Sequence, residues 1–308
     1  MTAKGPVFRA GRADIMAGKL FICATPIGNL DDITLRVLDA LRGADLIAAE
    51  DTRHTRGLLA HFDIHTPMTS YHEHNRFEKA EEIADRLEEG LNVCLVTDAG
   101  TPAVSDPGEV LVKTCIERGI EVTSLPGASA CITALTLSGL DTRRFCFEAF
   151  LPMKKKERDA VLESLRSETR TSIIYEAPHR IKGTLAELSE ALGPDRGMAL
   201  CRELTKVHET VWRGTLGEAA AYFSEKDIKG EIVLVIAGAT EDELRERAAS
   251  EWEGLSVAEH VQKYTDSGMS RKDAMKAAAA DRGIDRDRRG ELMGFIEKHL
   301  GRLDIAVG

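Results

Sequence analysis

The sequence predicts an α/β protein, with two α/β domains in succession and a small helical module after them. Three observations carry this. Short, β-branched-rich apolar runs alternate with stretches whose apolar residues recur at helical spacing. Several of those runs stop at loops of Gly, Pro, Ser, Thr and Asp, after which the chain resumes as a helix. Beyond Glu241 the apolar runs give way to charged, helix-spaced segments. Strands joined by helices at this interval build a parallel sheet with helices on both faces.

The stretch that organises the chain is Asn92–Gly108. Val93–Val96 is apolar and too short for a helix, so it reads as a buried strand. The loop after it, Thr97–Pro107, leads into helical spacing at Val110, Leu111, Thr114 and Cys115. Gly100 and Gly108 let backbone approach a ligand with no Cβ in the way. Pro102 and Pro107 stiffen the loop and remove N–H donors. Open α/β sheets bind ligands at such carboxyl ends of strands.

Taken in order, 1–18 reads as a flexible tail with neither an apolar core nor a secretory pattern. The first α/β domain is expected over 19–138. It opens with the strand Leu20–Ala24 and the loop Thr25–Asn29. Asp31 or Asp32 caps the following helix, whose apolar face is Ile33, Val37, Leu38 and Leu41. Asp45–Ala49 is a strand, Thr52–Phe62 and Arg76–Glu89 are helices, and Glu121–Ser124 is a strand that runs into Pro126-Gly127-Ala128-Ser129-Ala130. The second α/β domain is expected over 139–240. Its strands are Phe145–Phe150, Ser172–Tyr175, Met198–Cys201 and Glu231–Ala237, and Val211–Gly214 forms an antiparallel hairpin with the third. A basic loop and helix from Lys154-Lys155-Lys156 and a helix from Glu176 to Leu192 lie between them. An acidic linker then leads into helical segments at Ser256–Thr265, Ser270–Arg282 and about Asp287–Leu300, resembling a helix-turn-helix over 241–308. A helical cap that stabilises the C-terminus accounts for the same pattern.

The composition is that of a globular chain: 43% hydrophobic and 30% charged over 308 residues. No run approaches the roughly 20 apolar residues of a membrane helix. The six cysteines are scattered with no C-x-x-C pair, which favours a reducing cytoplasm and argues against zinc or disulfides. A net charge of −10 does not advertise nucleic acid, so any RNA contact must be local. Two stretches are net positive: Leu151–Arg170 has six Lys/Arg against four Asp/Glu, and Ser270–Gly290 has seven against four. No G-x-G-x-x-G, P-loop, G-x-S-x-G or H-E-x-x-H motif occurs. Small backbone-rich loops without a P-loop lysine suit a zwitterionic ligand with an apolar end, such as S-adenosylmethionine.

The segments CATPIGNLDDIT, LIAAEDTRHT, TDAGTPAVSDPG, LPGASA, FLPMKKKERD, YEAPHR, RELTKVHET and KGEIVLVIAG occur in that order. Together they resemble the ribosomal RNA small subunit methyltransferase I family of the tetrapyrrole methylase superfamily, densely over Leu20–Ala239. The resemblance implies S-adenosylmethionine bound in a cleft between two α/β domains. The implied reaction is methylation of a cytidine ribose 2′-oxygen in 16S rRNA of the small ribosomal subunit, with no metal, by a cytoplasmic enzyme expected to be a homodimer. The superfamily's tetrapyrrole enzymes carry Gly-Asp-Pro where this chain has Gly100-Thr101-Pro102, which argues against a porphyrinoid substrate.

Carried over residue by residue, the cofactor would touch Pro26 and Gly28, then Asp98, Gly100, Thr101 and Val104. It would also touch Ser129 and Ala130, with Tyr175 and Glu176 from the second domain. The polar cluster Glu50, Asp51, Arg53 and His54 directly follows an apolar strand and is the candidate substrate side. The bland alternative is an Asp51 helix cap with exposed Arg53 and His54. Arg180, Arg202, Glu203 and Lys206 would form the opposite wall, or an ordinary ion-pair cluster. A ribose hydroxyl is a weak acid, so a carboxylate or His should accept its proton. Glu50, Asp51, His54, Glu176 and Glu203 are the acceptors considered, with His179 and His208 behind them. Two other readings are an RNA-binding or ribosome-assembly factor that holds the cofactor without turnover, and a methyltransferase for a small tetrapyrrole-type molecule.

Overall fold

The structure, a computed structural model, describes residues 18–245 and 254–282. The expected tail up to residue 17, the third C-terminal helix and Arg286, Arg288 and Arg289 lie outside the described residues.

Five parallel strands form the first sheet: β1 (Lys19–Cys23), β2 (Leu46–Ala49), β3 (Met68–Ser70), β4 (Val93–Val96) and β5 (Glu121–Leu125), in the order β3-β2-β4-β1-β5. The connecting helices are α1 (Leu35–Gly43), α2 (Thr52–His61), α3 (Arg76–Glu88) and α4 (Gly108–Glu117). Successive strand residues face opposite ways. Leu20, Ala48 and Leu95 therefore join Ile83, Leu87 and Leu111 on one face, while Phe21, Ile47 and Val96 join Val37, Leu41 and Leu59 on the other. Cover on both faces explains why β2 and β4 read as unbroken apolar runs.

Two details depart from the sequence reading. Asp31 and Asp32 do not cap α1, because they lie within a 3-10 turn, Leu30–Asp32, capped by Asn29. Thr34, in extended conformation, caps α1 by accepting the Val37 N–H at 3.3 Å. The edge strand β3 went unforeseen because three half-exposed residues leave no periodic signal.

The second sheet is mixed, with β6 (Phe145–Phe150), β7 (Thr171–Glu176), β8 (Gly197–Arg202), β9 (Thr210–Thr215) and β10 (Ile232–Ile236) in the order β6-β7-β10-β8-β9. Only β6 and β7 run parallel, and β8–β9 is the expected hairpin. Helices α6 (Lys155–Arg166), α7 (Ile181–Leu192) and α8 (Leu216–Phe223) cover one face through Leu162, Leu188 and Phe223, packed with Leu200 and Leu234. The sequence reading passed over α8, although Thr215 and Glu218 form a full capping box. On the opposite face α5 (Ala130–Ser138) packs Ala134 and Leu135 against Ile173, Ala199 and Val233. Although α5 follows the last strand of the first sheet, it covers the second, and Ile27 joins the same cluster.

Both sheets belong to one compact unit, and the segment from Gly238 onward belongs with Arg166–Thr169 to another. In that second unit α9 (Val257–Asp266) and α10 (Arg271–Asp281) bury Val261 against Ala274 and Ala278. Ser256 and Ser270 cap them. Buried His260 contacts Asp281 through Nε2 at 3.2 Å and accepts from Arg282 Nε at Nδ1 at 3.1 Å. No helix among the described residues is long and apolar enough to cross a membrane.

Candidate functional site

All strands of the first sheet end at one edge, so the loops after β1, β2 and β4 meet there. They are tied by main-chain bonds: Thr25 N–H donates to Gly100 O at 2.9 Å, and Gly100 N–H to Thr25 O at 3.0 Å. Thr25 Oγ1 donates to Thr97 O at 3.2 Å and Thr101 Oγ1 to Ala128 O at 3.0 Å, which brings in the loop before α5. Gly100 sits at φ +84°, and Ala103 (+65°) and Ser105 (+64°) share the left-handed region, where a Cβ is strained. Asp106 holds this turn, accepting from Ala103 N at 2.9 Å and Gly108 N at 2.7 Å. Burial raises its carboxyl pKa, and the amides counteract part of that.

Two cavities open at this edge. The first, about 550 Å³, is within the range of about 300–1,000 Å³ typical of small-molecule sites. Asp98, Gly100, Thr101 and Val104 line it on one side, and Ser129 and Ala130 at the start of α5 on another. Tyr175 and Glu176 at the end of β7 complete the set expected for this site, apart from Pro26 and Gly28. Sequence reasoning missed Ile27, Phe150 and the Gly230–Val233 stretch. The signal for the last was Gly230 immediately before a strong strand; its φ is +93°. The lining combines apolar surface (Ile27, Val104, Phe150, Ile232) with exposed main chain, which fits an adenine-bearing zwitterion better than a polyanion. Tyr175 stands edge-on between Phe147 and Phe150, with ring centroids 4.9 and 5.7 Å away, and its oxygen accepts the Cys131 N–H at 3.1 Å.

The second cavity, about 700 Å³, is lined by Thr25, Pro26, Gly28 and Leu30 of the first loop, by Arg53, His54 and Leu58 of α2, and by Lys206. Ile27, Asp98, Ala99 and Glu231 line both cavities and form the wall they share. Pro26 and Gly28 thus sit on the other side of this wall from most of the expected cofactor residues. The reason for Gly28 is also different from the one expected. A Cβ there would lie 2.4 Å from Lys206 Cγ, 2.8 Å from Thr205 Oγ1 and 2.9 Å from Leu204 O. Its bareness admits a protein segment.

The expected acid–base residues divide sharply. Glu50 lines the first cavity and accepts from Thr97 Oγ1 at 2.7 Å. Asp51 borders neither cavity. It caps α2, accepting the Arg53 N–H at 2.8 Å, and binds the Arg53 guanidinium at 3.1 and 2.8 Å. Those hydrogen bonds hold its carboxyl well below the usual range. Glu176 is buried, and its oxygens accept from Ala177 N (2.7 Å), Arg180 Nε (2.7 Å) and Thr184 Oγ1 (2.6 Å). Arg202 borders neither cavity and donates to Thr210 Oγ1, Lys229 O and His208 O, which fastens the loop between β8 and β9. Glu203, at φ +53°, accepts from Lys206 Nζ and from Glu231 N, both at 2.9 Å. Lys206 also reaches Glu231 Oε2 at 3.1 Å. The Lys206 bond is the main cause of the lowered Glu203 pKa. On Lys206, burial is outweighed by the two carboxylates, so its pKa rises. His54, His179 and His208 are exposed. At the start of α6, Lys154, just before the helix, and Lys155 pair with Glu157 and Asp159 at 3.0 Å each.

A family model described as Tetrapyrrole (Corrin/Porphyrin) Methylases matches residues 19–220. The chain is 55% identical over 226 residues to the Ribosomal RNA small subunit methyltransferase I of Synechocystis sp., covering 73% of this chain and 81% of that protein. The protein of the same name from Halalkalibacterium halodurans is 48% identical over 267 residues, 87% of this chain and 91% of its own. Among solved structures, a diphthine synthase superposes with TM-score 0.57 at 18% identity, covering 74% of this chain and 94% of that one. The cobalt precorrin-4 methyltransferase superposes with TM-score 0.54 at 20% identity, over 71% and 94%. At that identity the structural likeness speaks for the fold. The chain belongs to the tetrapyrrole methylase family, with the ribosomal RNA small subunit methyltransferase I proteins as relatives.

Proposed function

We propose that this protein transfers a methyl group from S-adenosylmethionine to the ribose 2′-oxygen of a cytidine in 16S rRNA. The observation that carries the reading is the pair of cavities with one shared wall. One is apolar and rich in main chain; the other holds Arg53, His54 and Lys206. The names of the relatives support the rRNA substrate.

Gly100, Thr101, Val104, Ser129, Ala130 and Tyr175 would hold the cofactor, which supplies an electrophilic methyl. Methyl transfer is an in-line displacement, so alignment of oxygen, methyl and sulfur provides much of the acceleration. Lys206, paired with Glu203 and Glu231, and Arg53, paired with Asp51, are the cations lining the second cavity and would meet the phosphates on either side of the target ribose. Glu50, by its bond to Thr97, and Glu176, through Arg180 and Thr184, keep the cofactor walls in shape. Arg202 does the same for the loop that carries Lys206.

The same reading includes the assembled small subunit as substrate, a homodimer in the cytoplasm, and a division into 19–138, 139–240 and a helical module over 241–308. The test is transfer of labelled methyl to small subunits lacking the modification, followed by nuclease mapping. Label at a cytidine 2′-oxygen is expected. Binding of S-adenosylmethionine without transfer would overturn the enzyme reading in favour of a cofactor-sensing assembly factor. Light scattering should give twice 33.7 kDa.

A further inference from the structure

We infer that Asp98 is the group that takes the proton from the ribose hydroxyl, rather than a ligand of the cofactor. The inference rests on the methyltransferase reading above. The reacting oxygen and the methyl must meet where the two cavities adjoin. Among the described residues only two carboxylates line both cavities, Asp98 and Glu231.

Glu231 is already committed, with Lys206 Nζ on its Oε2 at 3.1 Å. The other acids near the site are also engaged. Asp51 carries the Arg53 guanidinium, Glu176 lies buried on Arg180, and Glu203 is paired with Lys206. Glu50 receives Thr97 Oγ1 and lines the first cavity alone, while the buried Asp106 receives two main-chain amides. A bound cation stabilises the ionised form of a carboxylate and weakens it as a proton acceptor.

Asp98 differs on each count. It is exposed, and among the described residues no Lys, Arg or His pairs with it. One contact orients it: the Asp51 N–H donates to Asp98 Oδ1 at 3.1 Å. Its Oδ2 receives no hydrogen bond among the described residues, and the residue lines both cavities. The main-chain bonds between Thr25 and Gly100 fix the loop that carries it, so its position is set by two strands. The role of Asp51 becomes indirect, with its side chain on Arg53 and its amide on Asp98.

The ribose 2′-oxygen forms a bond to the methyl carbon as the carbon–sulfur bond breaks. The electron pair of that bond goes to sulfur, leaving neutral S-adenosylhomocysteine. The 2′-hydroxyl proton passes to Asp98 Oδ2 and then to solvent. A carboxylate suffices because the hydroxyl becomes far more acidic as its oxygen bonds to carbon.

The test compares Asp98→Asn and Asp98→Glu with wild type in single-turnover methylation of small subunits. Affinities for S-adenosylmethionine, by calorimetry, and for small subunits, by filter binding, are measured beside it. Asparagine keeps the acceptor for the Asp51 amide, so both affinities should hold while the rate falls by about 10²–10⁴. Asp98→Glu, which restores a carboxylate, should recover part of the rate. A near-wild-type rate in Asp98→Asn overturns the inference. So does a rate loss matched by lost cofactor affinity, which would make Asp98 a cofactor ligand. Should Asp98→Asn misfold, Asp98→Ala decides: a near-wild-type single-turnover rate in it, with both affinities held, overturns the assignment. Failure of wild type to label small subunits would instead refute the methyltransferase reading.

Discussion

Replacing Gly28 with alanine tests whether the first loop and the Leu204–Lys206 segment touch as closely as the structure has them. The added Cβ would stand 2.4 Å from Lys206 Cγ, whereas carbon atoms rest about 3.5–4.0 Å apart, so about 1 Å must be found. The lysine stem can swing aside, but Leu204 O, at 2.9 Å, belongs to the main chain and moves only with its loop. Any such movement pulls Lys206 from Glu203 and Glu231 and widens the second cavity. Overpacking of this kind costs about 1–3 kcal/mol. In a chain of 308 residues that corresponds to a drop in melting temperature of roughly 1.5 °C per kcal/mol. Lys206→Ala removes the nearest clashing atom, so the double variant should lose less stability than the sum of the singles, by at least about 0.5 kcal/mol. Thermal unfolding of the four proteins of the cycle provides the measurement. A Gly28→Ala protein that melts with wild type would refute the close approach, and strict additivity would refute the part assigned to Lys206.

Gly100→Ala should destabilise for another reason: its Cβ meets Ile27 Cγ2 at a tolerable 3.4 Å, but φ +84° costs about 1–2 kcal/mol for an L-residue, readable by urea titration. Arg180→Ala strands the Glu176 carboxylate, whose side chain is fully buried, and should cost about 3–5 kcal/mol; Glu176→Gln in the same chain should recover part of it. Glu203 has a folded pKa below its ordinary 4.5, so its contribution is present above pH 4.5 and is lost as the pH falls through the lower folded value. The gap in melting temperature between wild type and Glu203→Gln should therefore be constant near neutrality and close on acidification. A gap that stays constant on acidification would show that it does not come from the ionised Glu203–Lys206 pair.

Much of this protein was determined by sequence alone, because the signals are local. Apolar runs such as Val93–Val96 and helical spacing in Arg76–Glu88 report burial on a fixed period, and turn residues report where that period breaks. The loops after β1 and β4 and the start of α5 were therefore legible as places where a strand gives way to a helix, whereas Tyr175 and Glu176 at the end of β7 came only from the family resemblance. Asp51 was legible only as two alternatives, a cap or a catalytic acid, since both demand an acid before a helix. Tertiary structure decided what depends on residues distant in the chain. It set Gly28 against Leu204–Lys206 and divided the expected cofactor residues between two cavities. It also matched Glu176, Glu203 and Asp51 with partners that occupy their oxygens. Whether a carboxylate is spent or available depends on which cation folds back onto it, and that pairing has no period along the chain. Asp98 stands apart from the neighbouring acids only once their partners are in place.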